Sequence, residues 1–598
     1  MSTVLHRLDQ WANESPDAPA QRYRSQGQWR TLTAREFRDR VYHLALFIES
    51  RGFDASQIGA ILSYNCPQWV HADLAALLVG GKSAGLYPNS TAKDIQYILS
   101  HTEATLLSVQ NKEYYQKISA GGGESDAPDG VRWILVFEGD ASFSPKAISY
   151  EQALAEGRAL AQQPGAKKYA DYLAKIDPDA GAFLIYTSGT TGNPKGAMLS
   201  HGNLAYTADI ASKYWGLPLG RGSMFSFLPL CHIAEKLQSV GVGITKRYTV
   251  HYCSKFENVS TELPDVQPTL LLCVPRLWEK MMEGVTAKVR GGKGAKKKLA
   301  EWAFSVGARV AEAKFAQRSP SPLDLLQLKL ADKLVLSKVR AALGLSKAEV
   351  IASGAAALAP HITKWFRALG LDILEAFGQT ESTGIISMTE PGIESAGTVG
   401  KPVPGVEFKL ADDGELLTRG PHVFMGYFKD EAATQVALEG GWLHTGDLGE
   451  WNERGQLKIR GRKKEILKTS GGKMIAPLPI EERLKAAEII SQVCMVGDGR
   501  KYISALITLT EGKLAELKDR GALKGDAAIT SPEVVSQVKA HVDSLNAGLA
   551  SFEQIKKFTV LGREFSVQDG EMTPTLKMKR NVIEQRFRGV IDQMYAGE

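Results

Sequence analysis

The feature that most constrains this chain is an eleven-residue run rich in glycine and hydroxyl side chains, Tyr186-Thr-Ser-Gly-Thr-Thr-Gly-Asn-Pro-Lys-Gly196. An apolar run at residues 182–186 leads into it and a helical pattern begins near His201, so it connects a strand to a helix. Glycine lets the backbone approach a ligand closely, hydroxyls donate to phosphate oxygens, and lysine adds positive charge. The run is therefore predicted to bind a polyphosphate through Thr187, Ser188, Gly189, Thr190, Thr191, Gly192 and Lys195.

Two other interpretations of this loop are weighed against that prediction. A Walker A loop would require glycine where Pro194 stands, so kinase and GTPase chemistry lose support. A simple surface turn of glycine, serine and threonine remains the alternative.

The net charge of +6 over 598 residues is too small and too dispersed to indicate a nucleic-acid binder.

Composition places the chain among ordinary globular proteins of more than one domain. Hydrophobic residues make up 44% and charged residues 23% of its 598 residues. The five cysteines lack metal-binding spacing, which favours a reducing cytoplasm. We find neither a leader pattern at the amino terminus nor an apolar run long enough to span a membrane.

The order of apolar and amphipathic segments predicts the domain organisation. Short apolar runs alternate with helical patterns between residues 57 and 377, which is typical of mostly parallel, helix-covered sheets. Residues 397–460 show short strands separated by glycine and proline, and are predicted to form a small β-barrel-like subdomain. We expect an α/β N-terminal domain at residues 1–463 and a small mobile α+β domain at 464–598.

Four further motifs follow the glycine-rich run in the chain. They are Glu375-Ala-Phe-Gly-Gln-Thr-Glu381, Gly441-Trp-Leu-His-Thr-Gly-Asp447, Gly461-Arg-Lys-Lys464 and Thr573-Pro-Thr-Leu-Lys577. In this order the sequence resembles the adenylate-forming (ANL) superfamily, which includes acyl-CoA synthetases, luciferases and the adenylation domains of peptide synthetases. The resemblance covers about residues 30–585 and implies ATP as a substrate.

The resemblance implies a nucleotide site at named positions. Thr187 and Glu381 would hold Mg²⁺, a hard cation that prefers oxygen ligands. Asp447 would accept the ribose hydroxyls, and Arg462 would reach the same ribose. Adenine and phosphate would contact two further segments, comprising Gly354, Ala355 and Ala356, and Glu375, Ala376, Phe377, Gly378, Gln379 and Thr380.

The resemblance also assigns the catalytic and acyl-transfer positions. Lys577 would stabilise charge between the attacking carboxylate and the α-phosphate. Family members commonly have glycine where Leu576 stands, and that departure leaves Lys579 as a second candidate. His232 would position the acyl group, with a structural histidine as the alternative.

Three positions near the domain boundary complete the assignment. Lys464 stands at the family's hinge position, two residues after the ribose-binding arginine. Gly471 and Gly472 would let the pantetheine arm of CoA pass close to the backbone, with a hairpin turn as the equal alternative.

Within the superfamily, three features most resemble long-chain fatty acyl-CoA synthetases. They are His232-Ile-Ala-Glu-Lys236, a helical insertion at about residues 287–346, and the ending Met572-Thr-Pro-Thr-Leu-Lys577. The Gly/Lys-rich segment at 291–298 is predicted to be a solvated loop, with contact to a membrane surface or a phosphate as the alternative. The implied partners are a fatty acid, ATP and CoA. Loading of a carrier protein, a medium-chain or aryl acid, luciferase-like chemistry and a non-enzymatic scaffold are weighed as alternatives. Peripheral contact with the inner membrane face and a homodimer stay open.

Overall fold

The structure of this protein is a computed structural model that describes residues 2–118, 130–187, 193–521, 523, 528–573 and 576–596. Its strands are numbered in chain order as β1 (Pro19–Ser25), β2 (Gln28–Thr33), β3 (Ile58–Leu62), β4 (Lys82–Leu86), β5 (Leu106–Val109), β6 (Trp133–Val136), β7 (Ala147–Ser149), β8 (Gly181–Thr187), β9 (Lys195–Ser200), β10 (Ser223–Ser226), β11 (Thr249–Tyr252), β12 (Leu270–Cys273), β13 (Val350–Ser353), β14 (Ile373–Phe377), β15 (Ser387–Met388), β16 (Lys401–Pro402), β17 (Glu407–Leu410), β18 (Glu415–Arg419), β19 (Gly426–Tyr427), β20 (Leu443–Trp451), β21 (Leu457–Arg462), β22 (Leu467–Lys468), β23 (Met474–Ile475), β24 (Ile490–Val496), β25 (Ile503–Leu509) and β26 (Ile555–Leu561).

The helices are numbered in the same way. They are α1 (Val4–Glu14), α2 (Ala34–Ser50), α3 (Pro67–Leu78), α4 (Ala92–Thr102), α5 (Lys112–Gln116), α6 (Tyr150–Ala161), α7 (Tyr169–Leu173), α8 (His201–Tyr214), α9 (Ile233–Glu235), α10 (Gly243–Lys246), α11 (Val259–Val266), α12 (Pro275–Gly291), α13 (Gly294–Phe315), α14 (Pro322–Ala331), α15 (Ser337–Ala342), α16 (Pro360–Ala368), α17 (Glu431–Ala437), α18 (Pro477–Leu484), α19 (Glu511–Asp519), α20 (Pro532–Asn546), α21 (Arg580–Arg586) and α22 (Arg588–Tyr595). π-helical turns occupy Lys236–Val242 and Asp332–Leu336.

Two large sheets organise the N-terminal part. One has the strand order β16-β15-β14-β13-β12-β10-β11-β1-β2 and the other β19-β9-β8-β4-β3-β5-β6-β7. The central pairs of both are parallel, including β12 with β13, β13 with β14, and β4 with β8. Strand β3, Ile-Gly-Ala-Ile-Leu, is buried along its whole length, as expected for a strand covered on both faces. The predicted α/β class is confirmed.

Local signals in the sequence set several helix boundaries. Thr33 and Glu36 form a capping box at the start of α2. Helix α16 begins with Pro360 in its first turn, and Gly370 lies just beyond its end with φ +78°.

The β-rich segment corrects part of the predicted fold. Strands β17, β18, β20 and β21 form an antiparallel sheet in that order, and within the described residues its edge strands β17 and β21 do not pair with each other. The sheet is therefore open, and the predicted β-barrel-like shape is wrong. Edge strand β17 has only four residues, too few to extend the sheet towards closure.

The C-terminal part has its own sheet and cores. Strand β25 pairs with β24 in antiparallel orientation and with β26 in parallel orientation. Helices α18 and α20 pack on this sheet around Val493, Ile507 and Val538, which are fully buried. A short hairpin of β22 and β23 precedes this sheet.

The insertion at about residues 287–346 is helical, as predicted, but its Gly/Lys-rich segment is not a long loop. Helix α12 ends at Gly291 and α13 begins at Gly294, so Lys296, Lys297 and Lys298 are helical. Lysine has good helix propensity, and the two glycines at 291 and 292 suffice to separate the helices. Among the described residues, no helix combines the length and apolar character needed to cross a bilayer.

Candidate active site

The candidate site lies where several parallel strands end. Strand β8 ends at Thr187, β13 ends just before Gly354, and β14 ends at Phe377. Loops that follow the carboxyl ends of parallel strands form the usual ligand-binding edge of such sheets. The predicted nucleotide-binding segments therefore follow strand ends of both large sheets, since β8 belongs to the eight-stranded sheet and β13 and β14 belong to the nine-stranded one.

The predicted phosphate loop is described only at its two ends. Ser188, Gly189, Thr190, Thr191 and Gly192 lie outside the described residues. Thr187 pairs with Lys195 across β8 and β9, and the Lys195 ammonium lies 5.0 Å from the centre of the Tyr427 ring. The ammonium also lies 3.5 Å from Asp430 Oδ2 and is partly exposed, so it remains accessible to an anionic ligand.

Glu381 is held beside the same strands by a tight turn. It lies in the helical turn Thr380–Ser382, and the Tyr427 hydroxyl donates a hydrogen bond of 2.7 Å to its Oε1. A Cβ at Gly378 would lie 2.4 Å from the Gly384 carbonyl oxygen, so only glycine fits where this turn folds back. Gln379 accepts within the turn from Ser382, which fixes the backbone around Glu381.

Asp447 and Arg462 face each other on neighbouring strands. They are paired residues of β20 and β21, and Arg462 Nε lies 3.1 Å from Asp447 Oδ1. Asp447 is buried, and burial raises the pKa of its carboxyl while Arg462 and Lys577 lower it. The Arg462 guanidinium is half-exposed, and the Asp447 carboxylate beside it is a buried hydrogen-bond acceptor. This arrangement suits a ligand with several hydroxyl groups.

Lys577 reaches this pair from the C-terminal part. Burial, followed by the charge of Arg462, lowers the pKa of the Lys577 ammonium to about 8, while Asp447 and Glu381 oppose the shift. The charges of Arg462, Asp447 and Glu381 therefore all act on the Lys577 ammonium. The predicted catalytic lysine thus interacts electrostatically with the two predicted ribose positions and with Glu381.

Local hydrogen bonds fix the backbone of Lys577. Met572 bridges Met578, and the Lys577 N–H donates to Thr573 Oγ1 at 3.0 Å. Leu576 has φ +62°, a conformation that glycine adopts most readily. Its side chain packs against core residues of both the N-terminal and the C-terminal parts, which gives the leucine a docking contact that glycine could not make.

His232 stands next to the cluster. Burial, with the charge of Lys577 next, lowers the pKa of its imidazole to about 3, so the ring is neutral near pH 7. Its Nδ1 accepts the Ala234 N–H at 3.2 Å, and the proton of the neutral ring therefore sits on Nε2. That N–H is a donor suited to a carboxylate or carbonyl oxygen.

The two predicted walls of the adenine slot abut. A Cβ at Gly354 would lie 3.4 Å from the Ala376 carbonyl oxygen, and Ala355 has φ +71°. Phe377 packs its ring beside Val399 and Leu416 of the β-rich subdomain. Ala356 follows Ala355 in the same bend.

Glu375 is buried and contacts the loop that follows Gly354. Its carboxylate is buried and accepts the Leu358 N–H at 3.3 Å, and burial raises its pKa to about 8. It therefore anchors the loop that carries Gly354 and Ala355.

The remaining predicted positions lie outside the charged cluster. Lys464 is exposed in the turn Lys463–Glu465 immediately after β21. Gly471 and Gly472 form the exposed tip of the β22–β23 hairpin, where Gly472 has φ +78°. This is the hairpin turn weighed above as the alternative for the glycine pair. The Lys579 N–H donates to the Glu571 carbonyl oxygen just before the start of α21.

Sequence reasoning missed two parts of the site. Tyr427 links Lys195 to Glu381, but a single tyrosine in a glycine-punctuated segment gives no sequence signal. An ionic interface also joins α12 to the C-terminal part: Lys485 Nζ lies 2.9 Å from Glu279 Oε1, and Arg276 lies 2.5 Å from Glu564. These pairs are 206 and 288 residues apart in the chain, so spacing cannot reveal them.

Comparison with known proteins identifies the family. Residues 8–428 match the model described as AMP-binding enzyme, and residues 464–598 match the AMP-binding enzyme C-terminal domain. The chain belongs to the AMP-binding enzymes, the adenylate-forming superfamily that the motifs predicted.

Individual proteins similar to this chain include named ligases and a solved structure. The chain is 35% identical to the long-chain-fatty-acid–CoA ligase FadD15 of Mycobacterium bovis, over 96% of this chain and 93% of the relative. It is 32% identical to the long-chain-fatty-acid–CoA ligase ACSBG2 of Rattus norvegicus, over 97% and 90%. The adenylation domain of a carboxylate reductase from Mycobacterium chelonae shares the fold with a TM-score of 0.74 at 22% identity, covering 99% of this chain and 91% of that one.

Proposed function

We propose that this protein is a long-chain fatty acid–CoA ligase that forms an acyl-adenylate from a fatty acid and ATP and then transfers the acyl group to CoA. The observation that carries the proposal is the ion pair of Asp447 with Arg462, whose charges, together with that of Glu381, act on the pKa of Lys577. The two relatives named as long-chain-fatty-acid–CoA ligases, each similar over more than nine-tenths of this chain, support the acid and the acceptor.

In the first half-reaction, the fatty acid carboxylate displaces pyrophosphate from the α-phosphate of ATP. Asp447 accepts from the ribose hydroxyls, and Arg462 holds the sugar from the neighbouring strand. The Lys577 ammonium neutralises the charge that develops between the carboxylate and the α-phosphate. The reaction requires no protein nucleophile, because positioning and charge stabilisation suffice for phosphoryl chemistry of this type.

In the second half-reaction, the CoA thiolate attacks the acyl carbon and AMP leaves. The neutral His232 donates from Nε2 to the acyl oxygen and holds the carbonyl for attack. Gly471 and Gly472 are proposed to line the path of the pantetheine arm, and Lys464 is proposed as the hinge. Burial of the anhydride limits its hydrolysis.

Mg²⁺ is proposed to bind through Glu381 and Thr187. One carboxylate and one hydroxyl fit this ion, because Mg²⁺ with nucleotides takes few protein ligands and fills its shell with phosphate oxygens and water. The Tyr427 hydroxyl occupies one lone pair of Glu381 Oε1 and leaves Oε2 for the metal. Bound there, the ion would offset phosphate charge.

The decisive experiment supplies ATP, Mg²⁺ and a ladder of fatty acids with CoA present or omitted, and measures AMP, pyrophosphate and thioester. CoA-dependent thioester that is greatest with long chains supports the proposal. Adenylate without thioester would point to a carrier-loading ligase, and a maximum with medium-chain or aryl acids would change the substrate class. Absence of AMP with every acid would reject ligase activity.

A Glu381→Gln variant tests the metal assignment. We expect the Mg²⁺ concentration for half-maximal pyrophosphate release to rise by about tenfold or more, because the charged ligand is replaced by a neutral amide. Tyr427→Phe is the matched control, since it removes only the hydrogen bond to Glu381. An unchanged Mg²⁺ requirement in Glu381→Gln would place the ion elsewhere.

Two assembly properties complete the proposal. We propose peripheral contact with a lipid bilayer, in keeping with a substrate that partitions into membranes. A homodimer is the second property, and light scattering of the purified chain measures it directly.

A further inference from the structure

One surface segment exposes apolar side chains that neither the core nor the candidate site uses. Of the fourteen large hydrophobic side chains that the described part of the chain exposes, five lie between residues 323 and 334. They are Leu323, Leu325, Leu326, Leu330 and Leu334, with exposed fractions of 63%, 41%, 66%, 51% and 37%. Single exposed leucines are ordinary on protein surfaces, whereas a contiguous group indicates a binding surface.

The inner side of the same segment already has its packing partners. Ala331 and Leu336 are buried in the core cluster that contains Trp278 and Phe366, and Leu328 packs partly against it. The exposed leucines at 323, 326, 330 and 334 recur at intervals of three, four and four, so they form a stripe along the outer side of α14 and the π-helical turn that follows. The stripe is therefore additional to what folding needs.

The charges around this stripe have one sign. Lys329, Lys333 and Lys338 are exposed on the segment. Its two acidic side chains are neutralised by arginines: Asp324 lies 3.3 Å from Arg309, and Asp332 lies 2.7 Å from Arg340. We call the four leucines of the stripe, with Lys329 and Lys333, the leucine–lysine face.

We propose that the leucine–lysine face docks on an anionic lipid bilayer. Leucines of an amphipathic helix insert at the boundary between headgroups and acyl chains, and lysines beside them contact anionic headgroups with their stems lying along the apolar layer. Each such lysine strengthens partition by about fivefold at low salt. A second copy of this chain fits less well, because a symmetric contact through this face would oppose lysine to lysine.

The experiment is co-sedimentation of the whole protein with vesicles of phosphatidylcholine alone or of phosphatidylcholine mixed with phosphatidylglycerol. We expect binding to the mixed vesicles that weakens with added salt. The double variant Leu326→Ser/Leu330→Ser should reduce the partition coefficient by about tenfold per leucine. Lys329→Glu/Lys333→Glu should abolish the preference for the anionic lipid.

A matched control removes equal apolar exposure elsewhere. Leu219 and Val436 are 55% and 71% exposed and lie outside the segment, so Leu219→Ser/Val436→Ser should bind vesicles like the unaltered protein. All four serine substitutions replace exposed side chains, and thermal unfolding should stay unchanged. Because the assay contains no substrate, its result is independent of the proposed ligase activity.

Three outcomes would overturn the proposal. One is failure of the unaltered protein to bind the mixed vesicles, and another is equal loss of binding in the control and the leucine variant. The third is a dimer in solution that Leu326→Ser/Leu330→Ser dissociates, which would assign the face to a second copy.

Discussion

At the scale of single residues, Lys577 carries the most specific prediction. Lys577→Ala should lower the rate of adenylate formation by about 10²- to 10³-fold, because the developing charge loses its cation. Transfer to CoA from chemically prepared acyl-AMP should be nearly unchanged, since the carboxylate has already reacted. Pyrophosphate exchange and thioester formation measure the two steps. Lys579→Ala is the control, and an equal loss there would reassign the catalytic lysine.

The lowered pKa of Lys577 predicts the pH dependence of the same step. A group with a pKa of about 8 is mostly protonated at pH 7 and loses its charge as pH rises through 8. The kcat/KM for adenylation should therefore fall on the alkaline side with a midpoint near pH 8. In Lys577→Arg that limb should disappear at reduced activity, because a guanidinium stays charged. Retention of the limb in Lys577→Arg would show that another group causes it.

At the scale of elements, the turn that carries Glu381 depends on Gly378. Gly378→Ala would place a Cβ 2.4 Å from a backbone oxygen, so the turn must shift and Glu381 with it. We expect ATP binding, measured by calorimetry, to weaken by more than about tenfold. Gly589→Ala in α22 is the control, because a Cβ there meets no atom within 4 Å and helix propensity improves. Normal ATP affinity in Gly378→Ala would contradict this geometry.

The elements also show what the sequence could and could not predict. Strand β8 and the alternation of strands and helices over residues 57–377 were predicted because apolar runs and amphipathic patterns are local signals. The motif residues Glu381, Asp447, Arg462 and Lys577 were predicted from the resemblance, and the structure gathers them. The open sheet of β17, β18, β20 and β21 was not predicted, because closure depends on whether the edge strands β17 and β21 pair with each other. Tyr427 and Glu279 were missed because their partners are remote in the chain.

At the scale of the whole molecule, an ionic interface joins α12 to the C-terminal part that carries Lys577. Arg276, Glu279 and Lys485 are largely buried there, and Lys485 lies between Glu279 at 2.9 Å and Glu482 at 3.1 Å. Lys485 is the shared cation of the Glu279 and Glu482 carboxylates. Burial raises the pKa of the Glu482 carboxyl. Removing the ammonium would leave Glu482 without its cation and Glu279 with Arg276 alone, which destabilises the docked arrangement.

Lys485→Ala should therefore weaken docking of the C-terminal part and slow adenylate formation by about tenfold or more, while transfer from supplied acyl-AMP changes little. The two half-reaction rates distinguish a positioning role from a structural one, because general loss of folding would lower both. Lys539→Ala is the control, since its exposed ion pair with Asp543 lies within α20. If both variants behave alike, the interface does not place Lys577, and the contacts of Leu576 must do so.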